Sequence, residues 1–105
     1  MNTHIDTDQT IPSEDEVYAA SNLLKLASDP TRFKILWALL HGEHSVGQLA
    51  KHINAQPAAV SQHLGKLRLA QVVKVRREGN TMYYSTDDTH VHDLIERALS
   101  HAKHK

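Results

Sequence analysis

Four side chains near the end of the chain have the types and spacing to hold a metal ion: Asp88, His90, His101 and His104. If residues from about 88 to 104 form one helix, a rise of ~1.5 Å per residue puts His90 and His101 roughly 16 Å apart along its axis. Eleven residues at ~100° each nearly close whole turns, so the two imidazoles share a stripe. His101 and His104, spaced i, i+3, can address one ion together. A single chain cannot unite the two pairs. An antiparallel copy about a two-fold axis can, because facing residues then keep a constant sum of residue numbers. Asp88 with His104 and His90 with His101 differ in that sum by only one, for a register centred near Ile95 and Glu96. Each end of such a pair collects three imidazoles and one carboxylate, a donor set suited to tetrahedral Zn(II) or Co(II). Asp87, Asp93 and Glu96 offer other nested pairs, and a histidine-rich helix end also suits the helix dipole as a plain solvated terminus.

The metal reading requires this helix to be a dimer seam. Val91, Leu94, Ile95, Ala98, Leu99 and Ala102 follow the i, i+3, i+4, i+7 spacing of one apolar face, with the histidine stripe along its edge. His92 falls off that stripe and reads as a surface residue. Imidazole must be neutral to ligate, so metal affinity is expected to fall as the pH drops.

Upstream, residues 1–12 lack apolar periodicity and read as a flexible acidic arm. Residues 13–105 form the folded domain. Ser13 with Glu16 makes a capping-box pattern, opening a helix through about Leu26. Asp29-Pro30 restarts the chain, with Asp as N-cap and Pro at the first helical position. The helix that follows, carrying Phe33, Ile35, Leu36, Trp37, Leu39 and Leu40, is apolar all round and is expected in the core. Ser45 with Gln48 opens a short helix. The break Asn54-Ala55-Gln56-Pro57 leads to another helix, running to about Ala70, and the pair makes a helix-turn-helix. Val72, Val73 and Val75 alternating with Lys74 and Arg76, the turn Arg77-Glu78-Gly79-Asn80, and the return Thr81 to Ser85 predict a β-hairpin with a basic tip. The expected fold is mainly α with a small β-hairpin wing: a winged helix-turn-helix, dimerising through its N- and C-terminal helices.

On the helix from Pro57, Val60, Leu64 and Leu67 define the buried stripe. The opposite face carries Ala58, Ser61, Gln62, Gly65 and Lys66, small enough for close approach to base edges. Gln62 suits bidentate adenine recognition and Ala58 a thymine methyl. Ser61 and Lys66 suit phosphates, and Gln56 reaches toward DNA from the helix N-terminus. Arg76, Arg77 and Asn80 on the wing are placed for flanking backbone or minor groove. His63 borders the buried stripe and reads as a packing residue.

Composition agrees with a nucleic-acid partner. The formal net charge of zero hides segregation. Residues 1–30 hold six acids against Lys25 alone, whereas residues 60–80 hold five cations against Glu78. With 105 residues the chain is one domain, small enough to gain stability from dimerisation. There is no cysteine, which excludes disulfides, thiolate metal sites and thiol redox sensing. No apolar run approaches a membrane span, and no charged-then-apolar leader opens the chain, so a cytoplasmic protein is expected. His41-Gly42-Glu43-His44 holds further ligand-type side chains but reads as an exposed helix end.

The stretches Leu26-Ala-Ser-Asp-Pro-Thr-Arg-Phe-Lys-Ile-Leu36, Ala59-Val-Ser-Gln-His-Leu-Gly-Lys-Leu67 and Arg76-Arg-Glu-Gly-Asn-Thr-Met-Tyr-Tyr-Ser85 resemble the ArsR/SmtB family of metal-sensing repressors. The resemblance spans roughly residues 14–104. The Asp-x-His…His-x-x-His pattern is similar to the zinc/cobalt-responsive branch, implying that Asp88 and His90 of one subunit join His101 and His104 of the other. It further implies an apo dimer that represses its operator and a metal-bound dimer that releases genes for efflux or sequestration. Two features depart from the pattern. The cysteine site of other branches is absent, and Gln71 stands where many relatives have glycine. Nickel-sensing relatives add N-terminal donors, a part open to His4 and the terminal amine. The alternatives are therefore a nickel/cobalt sensor of that kind or a metal-independent winged-helix regulator. A small metallohydrolase is disfavoured, because a fully protein-coordinated tetrahedron leaves no position for water. No small-molecule substrate is implied.

Overall fold

A computed structural model describes residues 10–104. His4 and most of the expected acidic arm lie outside the described residues. The elements run α1 (Glu14–Ser28), α2 (Pro30–Leu39), β1 (His44–Ser45), α3 (Val46–Ile53), α4 (Pro57–Leu69), β2 (Lys74–Glu78), β3 (Thr81–Ser85) and α5 (Thr89–Lys103).

Local chemistry sets most of these boundaries. The Ser13 hydroxyl accepts from the Glu16 amide at 3.1 Å while the Glu16 carboxylate accepts from the Ser13 amide at 2.8 Å, so the first capping box forms. A single residue separates α1 from α2. Asp29 is extended, as the residue before a proline prefers, and its carboxylate accepts from the Arg32 amide at 3.0 Å. Ser45 and Gln48 make the second capping box. Asn54 ends α3 in the left-handed region at φ 56°, and Pro57 opens α4. After α4 the chain turns at Gln71, whose φ of 62° is the conformation glycine adopts without steric cost.

One core joins the helices. Ile35 and Leu36 of α2, Leu49 of α3, Val60, Leu64 and Leu67 of α4, and Ile95 of α5 are all wholly buried, each stabilising the fold by about 1.5–3 kcal/mol. Around α2 the burial is uneven. Ile35, Leu36, Ala38 and Leu39 are buried, but Phe33, Trp37 and Leu40 are only half-buried, so the all-round apolar helix is not wholly core. The final helix differs from its sequence reading too. Val91 and Ile95 pack into the protomer's own core, Leu94 and Leu99 are half-buried, and Ala98 and Ala102 are exposed.

The wing is a three-stranded antiparallel sheet in the order β1-β3-β2, rather than a two-stranded hairpin alone. β1 contributes two residues, His44 opposite Tyr84 and Ser45 opposite Tyr83. Glu78 pairs with Thr81, leaving a two-residue loop whose first member, Gly79, has φ 62°, a conformation tight hairpins favour. Val72 and Val73 are both buried and precede the strand. Thr86, past β3, is buried and donates its hydroxyl to the Val72 carbonyl at 2.9 Å. His92 is half-buried, its Nε2 donating to the Thr86 carbonyl at 3.0 Å. It pins α5 to the end of the sheet and is not the surface residue its sequence position suggested.

Candidate nucleic-acid interface and metal centre

The outward face of α4 is a polar, shallow surface. Ala58, Ser61, Gln62, Gly65 and Lys66 are exposed, opposite the wholly buried Val60, Leu64 and Leu67. Gln56 makes no side-chain cap to the helix it precedes. Beneath the face, half-buried His63 ties α4 to the α1–α2 junction. Its Nδ1 accepts from the Arg32 guanidinium at 3.3 Å, and its Nε2 lies 3.8 Å from the Asp29 carboxylate. Arg32 in turn donates through Nε to the Leu26 carbonyl at 2.8 Å. The Arg32 amide, more than the charges of His63 and Arg32, holds the Asp29 carboxyl below its ordinary range.

On the wing, the three expected DNA-facing residues differ in freedom. Arg76 makes a fork-like pair with Glu43, at 2.9 and 3.0 Å, and a further bond to Glu78 at 2.8 Å. Its guanidinium also lies over the Tyr83 ring, 5.0 Å from the centroid. The hydrogen bonds from Arg76 hold the Glu43 carboxyl down, and those two carboxylates raise the guanidinium further. A phosphate approaching Arg76 must therefore compete with two carboxylates. Arg77 donates to the Gly79 carbonyl at 3.0 Å, and Asn80 is exposed at the tip. Lys74 pairs with Asp87 at 2.8 Å, which lowers that carboxyl. Among the described residues, the cationic surplus of this region thus falls to Lys66, Arg68 and Arg77.

The four metal-type residues lie along α5. Asp88 is its N-cap, with Oδ1 accepting from the His90 amide at 2.8 Å and, at 3.4 Å, from that of Val91. His90 is exposed, with Nδ1 3.3 Å from the same oxygen. At the other end His101 and His104 are exposed. His104 Nδ1 is 2.9 Å from the Ser100 carbonyl; a carbonyl only accepts, so Nδ1 carries the proton and Nε2 keeps its lone pair. The fold brings Asp88 to His90 but leaves the two pairs at opposite ends of the helix. No three His, Asp or Glu side chains among the described residues converge in one protomer. Beside the stripe, Leu94 and Ala98 form a concave apolar surface with Leu24, Ala27, Pro30 and Phe33.

Three features of this surface had no local signal in the sequence: the clamp of Glu43 on Arg76, the inward bond of His92, and the stacking of Trp37 on His52. The first and last join residues distant in sequence, and the His92 bond reaches back across the link from β3 into α5.

No described helix is long and apolar enough to cross a membrane. Residues 29–75 match the family described as bacterial regulatory protein, arsR family. The HTH-type transcriptional regulator KmtR of Mycobacterium tuberculosis is 37% identical over 91 residues, covering 87% of this chain and 70% of the relative. The cadmium resistance transcriptional regulatory protein CadC homolog of Staphylococcus aureus is 40% identical over 84 residues, 79% of this chain and 69% of its own. Among solved structures, NolR from Sinorhizobium fredii superposes with a TM-score of 0.77 at 35% identity, covering 90% of this chain and 95% of NolR. With a helix-turn-helix whose outer face is exposed and a wing beside it, the chain belongs to the ArsR family of bacterial regulatory proteins, DNA-binding transcriptional regulators and not enzymes.

Proposed function

We propose that the chain is a metal-responsive repressor working as a two-fold dimer. The apo dimer binds a pseudo-palindromic operator, with Gln62 and Ala58 reading bases, and with Gln56, Ser61, Lys66, Arg76, Arg77 and Asn80 positioned for phosphates or the flanking groove. Asp88 and His90, with His101 and His104 of the partner subunit, take up Zn(II) or Co(II). Uptake lowers DNA affinity and releases genes of metal efflux or resistance.

The observation that carries this reading is the exposed edge of α5. A carboxylate and three imidazoles line it beside an apolar groove that one chain leaves uncovered. The donors fit the ion. Asp88 uses Oδ1 for the helix cap and keeps Oδ2, while His104 holds the tautomer with a free Nε2. A relative named for cadmium resistance supports a metal effector, although a chain without cysteine favours nitrogen and oxygen donors over thiolate chemistry.

If bound, the ion would supply a crosslink between the two subunits, held by Asp88 and His90 with His101 and His104 of the partner subunit and so not a centre for reaction chemistry. The four side chains then fix the angle between the two copies of α5. Because α5 packs on α2 and α2 on α4, that angle sets the spacing of the recognition helices. Release needs the low-affinity arrangement to be favoured by ~1–3 kcal/mol. The test uses DNA selected from a random pool by the apo protein. His101→Ala should bind it as the parent does, and zinc should no longer dislodge it. Zinc releasing the variant as it releases the parent would refute the site.

A further inference from the structure

Two histidines flank Trp37 and a third meets one of them, away from the ligand stripe of α5. His41 meets the indole edge-on, with ring centroids 5.0 Å apart, and His52 stacks on it at 5.6 Å with planes only 7° apart. His44, in β1, places its ring 5.8 Å from that of His52. His44 Nδ1 is 2.8 Å from the Gly42 carbonyl. That oxygen only accepts, so Nδ1 carries the proton and Nε2 presents its lone pair, the means by which a backbone carbonyl orients a ligating imidazole. Stacking on the Trp37 face restrains the plane of the His52 ring.

Two imidazoles bound to one tetrahedral ion at ~2.1 Å have ring centres roughly 5 Å apart. The observed separation is slightly wider, a gap that side-chain torsions close. His52 is exposed and His44 half-buried, and the hollow between them is lined by Glu43, Gln48 and Lys51. Glu43 is committed to Arg76 rather than serving as a donor.

We propose that His44 and His52 form a second, solvent-open site for a divalent first-row ion of the imidazole-preferring kind, independent of the α5 residues and completed by water. With two protein donors it binds more weakly than a four-donor set and fills after it. An ion there adds positive charge at the root of the wing, next to the Glu43–Arg76 pair.

Trp37 is the only tryptophan, and its ring lies against His52. Ni(II), being paramagnetic, should quench its emission on binding. The titration is made on full-length His90→Gln/His101→Gln, which silences the α5 pairs, with histidine ring resonances recorded in parallel. Saturable quenching is expected, with the His44 and His52 resonances broadened first. His44→Gln or His52→Gln should each weaken it by more than about tenfold, while His41→Gln and His104→Gln leave it in place. Operator binding by the apo variants certifies their fold. Quenching that survives loss of both His44 and His52, that depends instead on His41 or His104, or that never saturates would overturn the site.

Discussion

The helices α4 and α5 are both amphipathic and of similar length, yet only one is finished within a single chain. In α4 the apolar stripe of Val60, Leu64 and Leu67 is wholly buried, and outside it only Leu69, at the last turn, is both large and apolar. In α5 the apolar face is wider than the core it meets. Val91 and Ile95 are buried, whereas Leu94 stays half-covered and Ala98 exposed beside Phe33 and Leu24. A helix complete in one chain can be held rigidly, which suits a surface that must match DNA grooves. A helix with spare apolar width is where a second copy, and with it regulation, can enter.

That contrast can be broken from either side. The largest effect is expected from Leu64→Ala, which empties a fully buried site in the finished helix and should destabilise the domain by ~2–5 kcal/mol in denaturant titrations. Gln62→Ala leaves the core untouched. It should cost about 1–3 kcal/mol of operator binding and relax the preference at one adenine, read by comparing matched and substituted sites. The smallest effect is expected at the junction of α1 and α2, where Asp29 caps α2 and faces His63. Its carboxyl is held below the ordinary range mainly by the Arg32 amide, so it contributes stability above its unfolded value. That contribution disappears as the pH falls through the lower folded value. Asp29→Ala should melt at a slightly lower temperature at neutral pH and lose less on acidification below about pH 4.

Local rules carried much of the fold. Both capping boxes, the Asp29-Pro30 restart and the hairpin are written in neighbouring residues, and each forms as its chemistry requires. What escaped was nonlocal. β1 is two residues long and exists only because Tyr83 and Tyr84 lie opposite it; no periodicity is visible in so short a piece. His92 lies off the ligand stripe by helical geometry, but the chain before α5 brings the Thr86 carbonyl to it. The exposed face of α4 was legible because burial of Val60, Leu64 and Leu67 dictates what faces outward. The availability of Arg76 was not, since Glu43 is distant in sequence. The α5 spacing read from the sequence agrees with a continuous helix from Thr89 to Lys103. The completed ligand set belongs to the proposed dimer.

Among the described residues, the two non-glycine positions with left-handed backbone, Asn54 and Gln71, stand on either side of α4. Asparagine tolerates that conformation, whereas glutamine has no such allowance and holds it at a cost on the order of 1–2 kcal/mol. Each closes a helix end: the Ala55 amide donates back to the Ala50 carbonyl at 2.8 Å and the Val72 amide to the Leu67 carbonyl at 2.9 Å. Both approaches to α4 are therefore latched by backbone bonds, and the helix is re-aimed only by turning the domain that carries it.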